Sequence, residues 1–118
     1  MKVLIVDDNE DITNLLSTFL KAKGFQNVST NNPKEGLDQI KDHKYDIVLL
    51  DISMPEFTGL EIIQTLEREN ILKDQKIIIF SAVSLTISEI NELLKKDGIK
   101  SCLKKPIQLS ELLTAITS

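Results

Sequence analysis

Short aliphatic runs alternate along this chain with longer stretches whose apolar residues recur every three or four positions. Lys2–Asp7 sets Val-Leu-Ile-Val between charged ends and predicts a strand. Asp11–Lys23 places Ile12, Leu15, Leu16, Phe19 and Leu20 on one helical face, and Gly24 follows at the usual stop position. Gln26–Thr30 is a weaker second strand. Pro33 suits the first turn of a helix through Lys41, although Gly36 lowers that segment's helix propensity. Asp46–Asp51 is a continuously apolar third strand, and Gly59 opens a helix through Glu69 carrying Leu60, Ile62, Ile63 and Leu66. Lys76–Ser81 predicts the fourth strand, Ser88–Lys96 a helix closed by Asp97-Gly98, and Ile99–Leu103 a short fifth strand. Ser110 is the expected cap of a last helix that runs nearly to the end.

Five strand–helix repeats follow, with no long linker, internal repeat or low-complexity segment. Strands that alternate with helices imply a parallel sheet covered on both faces. Right-handed crossovers leave few topologies. The expectation is an α/β fold: one doubly wound (βα)5 flavodoxin-like domain over residues 1–118, strand order 2-1-3-4-5. Ligands would bind outside the carboxyl ends of the strands, near the switch between strands 1 and 3.

The chain's 118 residues suit one domain, and its 42% hydrophobic content supports an ordinary core. The single cysteine, Cys102, cannot form an internal disulfide. Val3-Leu4-Ile5-Val6 is too short for a signal peptide, and no apolar run reaches membrane-spanning length, so a cytoplasmic location is expected. Residues 1–59 hold 6 basic and 10 acidic side chains, whereas residues 60–118 hold 8 of each. Acid gathers in the first half. Lys95, Lys96, Lys100, Lys104 and Lys105 form a modest basic run in the second, with Asp97 the one acid among them. No aromatic-interleaved basic stripe accompanies it, which argues against direct nucleic-acid binding.

The sequence Ile47-Val48-Leu49-Leu50-Asp51 drives an apolar strand straight into a carboxylate. A charge there is costly unless it is paired, hydrated or bound to a cation. It is therefore either a helix cap or a working part. Strand 1 ends in Asp7-Asp8, strand 3 in Asp51, strand 4 in Ser81 and strand 5 in Lys104-Lys105-Pro106. A parallel sheet lines all of these along one edge. Three close acids repel one another, and a hard divalent cation such as Mg²⁺ relieves that repulsion while keeping positions open for phosphate oxygens. A carboxylate can also be a nucleophile that becomes an aspartyl-phosphate, with a lysine, a hydroxyl and the metal steadying the phosphoryl group.

On "LIVDD" (Leu4–Asp8), "LLDISMPEFTG" (Leu50–Gly59), "FSA" (Phe80–Ala82) and "KP" (Lys105-Pro106), the sequence resembles the response-regulator receiver domains of two-component signalling, in particular the stand-alone chemotaxis-regulator type. Each piece is weak alone; their order and spacing together are specific. The resemblance implies that Asp51 accepts a phosphoryl group from a sensor histidine kinase or phosphotransfer protein. It implies that Asp8 ligates Mg²⁺ directly, that Asp7 holds metal-bound water, and that the Ser53 backbone carbonyl is the remaining protein ligand. Ser81 matches the switch hydroxyl, and Lys105, not Lys104, the family lysine. A cis bond before Pro106 is a family feature. The implied output is a changed docking surface for a downstream protein on helix 4, strand 5 and helix 5. The chemistry is self-phosphorylation and slow self-dephosphorylation, so the chain is not classed as an enzyme. No output domain follows the fifth helix in these residues: the chain is either a stand-alone regulator or a piece of a longer protein.

Two positions depart from the pattern. Cys102 stands where the family often has an aromatic switch residue, and reads as a small strand residue rather than a redox sensor. Val83 stands where a polar residue is common; with Ser53 opposite, it predicts limited water access and slow loss of phosphate. Met54 and Phe57 are expected to wall the crevice, His43 to lie on the surface, and the basic run to steer an acidic partner. Three other readings compete. An aspartyl-phosphate hydrolase of the haloacid dehalogenase kind wants an acid where Ser53 stands, and a cap domain. A flavodoxin wants a hydroxyl- and glycine-rich loop after strand 1. A plain interaction module would not need the intact acids and lysine.

Overall fold

A computed structural model describes residues 1–53, 58–82 and 85–118. The expectations for Met54, Phe57 and Val83 fall outside those residues. The elements run β1 (Lys2–Val6), α1 (Glu10–Ala22), β2 (Gln26–Thr30), α2 (Pro33–Asp42), β3 (Ile47–Asp51) and α3 (Gly59–Arg68). A single 3-10 turn (Leu72–Asp74) then leads to β4 (Ile77–Ser81), α4 (Ile87–Leu94), β5 (Ile99–Lys104) and α5 (Leu109–Thr117). All strand pairs are parallel and the order is β2-β1-β3-β4-β5, the expected flavodoxin-like arrangement.

The three central strands are buried on both faces, and their side chains alternate between two cores. Val3, Ile5, Ile47, Leu49, Ile78 and Phe80 pack with Leu16 and Leu20 of α1 and Leu112 and Ile116 of α5. Leu4, Val6, Val48, Leu50, Ile77 and Ile79 face the other way, onto Ile40 of α2, Ile62, Ile63 and Leu66 of α3 and Leu93 of α4. This period of two explains why β1, β3 and β4 read as continuous aliphatic runs: neither face meets water.

Local details differ from expectation where packing has the last word. The buried stripe of α1 is Thr13, Leu16 and Leu20, not the full set of periodic apolar residues. Leu15 is 56% exposed, because it lies one residue step, about 100°, from Leu16 and beyond the edge of the contact. Thr13 tolerates burial because its hydroxyl donates to the Glu10 carbonyl at 3.0 Å. Ser110 does not cap α5; it lies inside the helix, whose N-cap is Gln108 with no side-chain bond. Gly36 sits in α2 because a Cβ there would come within 2.7 Å of Val6 Cγ1.

The short helix α4 depends on its cap. Thr86 Oγ1 accepts from Glu89 N at 3.1 Å, and the Glu89 carboxylate accepts from Thr86 N at 3.0 Å. Thr86→Ala is expected to lower stability by about 1 kcal/mol, read from the midpoint of urea unfolding. The Thr86 backbone and side chain hold the Glu89 carboxyl below its usual range. That part of the cap is present above the ordinary glutamate pKa and fades as pH falls through the lowered value.

Candidate functional site

The alternation that builds the two cores also builds the site. Val6 pairs with Leu50 in the β1–β3 register, so the next residues, Asp7 and Asp51, emerge side by side on the same face. Both are buried, at 0% and 2% exposure. The turn after β5 brings the third partner: Lys105 N donates to the Ser81 carbonyl at 2.9 Å. Lys105 Nζ then lies 2.8 Å from Asp7 Oδ2 and 3.3 Å from Asp51 Oδ2. The peptide between Lys105 and Pro106 is cis. Asp8 is exposed, and the carboxylates of Asp7, Asp8 and Asp51 each offer an oxygen within 4.8 Å of the others.

Backbone donors complete the carboxylates' shells. Asp7 Oδ1 accepts from Asn9 N, and Asp51 Oδ1 from Ser53 N, each at 2.9 Å. Burial pushes the Asp51 carboxyl above its ordinary pKa and the charge of Asp7 adds to the push, against the Ser53 N–H and Lys105. Burial also works against the Lys105 ammonium, but the hydrogen bond and charge of Asp7, followed by those of Asp51, outweigh it and leave its pKa raised. One ammonium thus serves two buried acids, with a third acid beside them at the surface. An all-oxygen, net-negative and partly open donor set of this kind suits a hard divalent cation, and Mg²⁺ in particular.

The strand ends therefore bring Asp7, Asp8, Asp51 and Lys105 into one crevice. Ser53 enters it through its N–H. Ser81 is buried at the end of β4, one residue after Phe80, the pairing partner of Asp51. A cavity of about 110 Å³ lies against it, lined by Ser81, Leu85, Ile90, Cys102, Leu103 and Lys104. Lys104 is exposed and not part of the cluster. Burial raises the Cys102 pKa, which disfavours the thiolate and agrees with a small strand residue. His43 is exposed at the end of α2, edge-on to Tyr45.

Sequence reasoning overlooked two contributors. Gly59, read as a helix start and as the close of the Leu50–Gly59 motif but not as a steric contact, lets the first turn of α3 touch the end of β3, where a Cβ would lie 2.5 Å from the Asp51 carbonyl oxygen. Asn31, in the loop before α2, donates its amide to the Asp7 carbonyl at 2.8 Å. The motif marks Gly59 without saying what it touches, and Asn31 has no local signature, since an asparagine in a polar turn looks like any other.

Comparison with known proteins agrees with the fold and gives the family. The family profile of the response regulator receiver domain matches residues 3–117. The polar-differentiation response regulator DivK of Brucella anthropi is 31% identical over 116 residues, covering 98% of this chain and 93% of that protein. The receiver domain of Francisella response regulator 1452 superposes with a TM-score of 0.85 at 30% identity, covering 98% of this chain and 93% of the other. Response regulator TrrA of Thermotoga maritima, solved in complex with Mg²⁺ and BeF, gives a TM-score of 0.82 at 29% identity, covering 98% and 96%.

Proposed function

Since the chain belongs to the response regulator receiver domain family and is a phosphorylation-dependent switch of two-component signalling, we propose that Asp51 is its phosphoacceptor. The observation that carries this reading is the single ammonium of Lys105 set against Asp7 and Asp51, with Asp8 alongside. An Asp51 carboxylate oxygen attacks the phosphorus of a partner's phosphohistidine. The O–P bond forms as the P–N bond breaks, and the electron pair leaves with the imidazole. Lys105 holds positive charge beside the incoming phosphoryl oxygens, and the Ser81 hydroxyl turns to one of them as the switch. Asp7, Asp8, Asp51 and the Ser53 carbonyl are the residues that would hold Mg²⁺, which when bound neutralises the acids and the phosphoryl oxygens. Later attack of water on phosphorus restores the carboxylate. This self-modification is the only chemistry assigned to residues 1–118, read as one receiver unit.

The donor is a sensor histidine kinase or a phosphotransfer protein, and the reader is a downstream protein that docks on α4, β5 and α5. Ile87 (80% exposed) and Leu94 lie seven residues apart on one face of α4 and support that surface. The basic run supports it less. Lys96 pairs with Glu67 at 2.8 Å, Lys95 lies 3.5 Å from Glu92, and Lys100 donates to the Ile116 carbonyl. Much of that charge is answered within the fold, so docking is assigned to the apolar residues rather than to basic steering. Among the described residues no helix is long and apolar enough to cross a membrane, and a cytoplasmic setting is part of this reading, as is the absence of direct nucleic-acid contact.

The test is incubation with a small phosphodonor and Mg²⁺, followed by intact mass. A gain of one phosphoryl group is expected, and no gain when a chelator is present from the start. Turnover of the donor far beyond one equivalent would point to a hydrolase instead.

A further inference from the structure

We propose that Asn31 is a positioning residue for the metal centre: its carboxamide clamps the Asp7–Asp8 peptide so that both carboxylates serve one cation. The inference rests on the reading of the acidic cluster as that centre. Asn31 Nδ2 lies 2.8 Å from the Asp7 carbonyl oxygen and 3.1 Å from Thr13 Oγ1. The Thr13 hydroxyl spends its hydrogen on the Glu10 carbonyl, so toward Asn31 it is an acceptor. Both groups facing Asn31 therefore need a hydrogen, and a carboxamide nitrogen carries two. On the same side, Asp7 N donates to the Thr30 carbonyl at 3.2 Å. The backbone of Asp7 is thus held to the β2–α2 segment at its N–H and at its C=O.

The direction of this clamp matters because the two acids differ. Asp7 is also fixed through its side chain, by Lys105 and Asn9 N. Asp8 is exposed, and the orientation of the peptide before it sets where its carboxylate points. Thr13 ties the same amide to the first turns of α1, so β1, α1 and β2 meet at one nitrogen. Groups that orient metal ligands commonly change affinity without touching the ion.

Calorimetric titration of Mg²⁺ into the full chain tests this, with the metal-free melting temperature measured in parallel. Asn31→Ala is expected to weaken Mg²⁺ binding by about tenfold and to lower the metal-free melting temperature as well, because the Asp7 carbonyl and the Thr13 hydroxyl each lose a donor. Asn31→Asp is expected to weaken it too, despite the added negative charge, because a carboxylate offers no hydrogen to either acceptor. Thr13→Val removes one of those acceptors and is expected to act in the same direction by less. A merely structural Asn31 would shift the melting temperature and spare the affinity. Alanine binding within about twofold of the parent, or tighter binding by the aspartate variant, overturns the proposal. Should Asn31→Ala not fold, Asn31→Ser and Thr13→Val decide it by the same criterion. A parent chain that takes up no Mg²⁺ at all would instead overturn the reading of the cluster itself.

Discussion

Asp51→Asn is expected to abolish phosphoryl uptake and, in the absence of divalent cation, to raise the melting temperature. The first effect is chemical. An amide is not a nucleophile at phosphorus, and the neighbouring acids are poor substitutes. Asp7 is engaged by Lys105 and by Asn9 N. Asp8 lies at the surface, outside the buried pair. With a small phosphodonor and Mg²⁺, the parent gains one phosphoryl group and the variant none; a variant that still gains mass would remove Asp51 as acceptor.

The second effect follows from the cost of the charge. Burial, reinforced by Asp7, holds the folded-state pKa of Asp51 above its unfolded value. A carboxyl shifted upward destabilises the fold at pH values above that raised pKa, and relief comes only as pH falls through it. At neutral pH the ionised group is therefore unfavourable, and a neutral isostere removes the penalty. Lys105 keeps its 2.8 Å contact with Asp7 in the variant, so no ammonium is left without a partner. Added Mg²⁺ should shrink the difference, because the metal binds the parent's three acids more strongly than the variant's two. A metal-free variant that melts at or below the parent at pH 7 would show that repulsion is not what burdens the site.

The next largest effect is expected from Gly59→Ala: a loss of about 2–3 kcal/mol in urea unfolding together with slower phosphoryl uptake. The added Cβ would meet the Asp51 carbonyl oxygen at 2.5 Å, Ile52 Cα at 2.7 Å and the Asp51 carbonyl carbon at 3.0 Å. All three are backbone atoms at the end of β3, where Ile52 N is already bonded to the Phe80 carbonyl at 3.0 Å. They cannot yield without moving Asp51 itself. Gly36→Ala is the matched comparison. Its Cβ would meet side-chain carbons of the buried Val6, at 2.7 and 3.0 Å for the two γ carbons. The strain falls on the core and not on the backbone of Asp51, and the helix propensity that alanine returns, about 1 kcal/mol, offsets part of it. Gly36→Ala should accordingly lose some stability while keeping the parent's phosphorylation rate. Equal slowing of phosphoryl uptake in the two variants would mean that α3 does not brace the acid.

Much of this protein can be read from short stretches of its chain. Val3–Val6, Ile47–Leu50 and Ile77–Phe80 are apolar at every position because both faces of a central strand are covered, and that requirement acts residue by residue. The ends of such strands are equally plain. Asp7, Asp51 and Ser81 each stop an apolar run, and parallel pairing then lines them up. The crevice was visible in the sequence for this reason.

Other features have no local sign because the atoms that define them come from distant parts of the chain. Lys104 and Lys105 are alike in composition, and in the sequence only the resemblance, through Pro106, tells them apart. Pairing of Ser81 with Lys104, and the bond from Lys105 N to the Ser81 carbonyl, send the second ammonium to the acids and the first to solvent. Leu15 fits the helical period as well as Leu16, yet only the docking angle of α1 says which is covered. Asn31 meets Asp7 across 24 residues, and Lys96 meets Glu67 across 29. Periodicity and propensity act within a turn or a strand, so they specify elements and the residues at their ends. Which lysine reaches an acid, which glycine admits a backbone and which amide holds a carbonyl depend on how those elements pack together, because hydrogen bonds and steric overlap act only at contact distance.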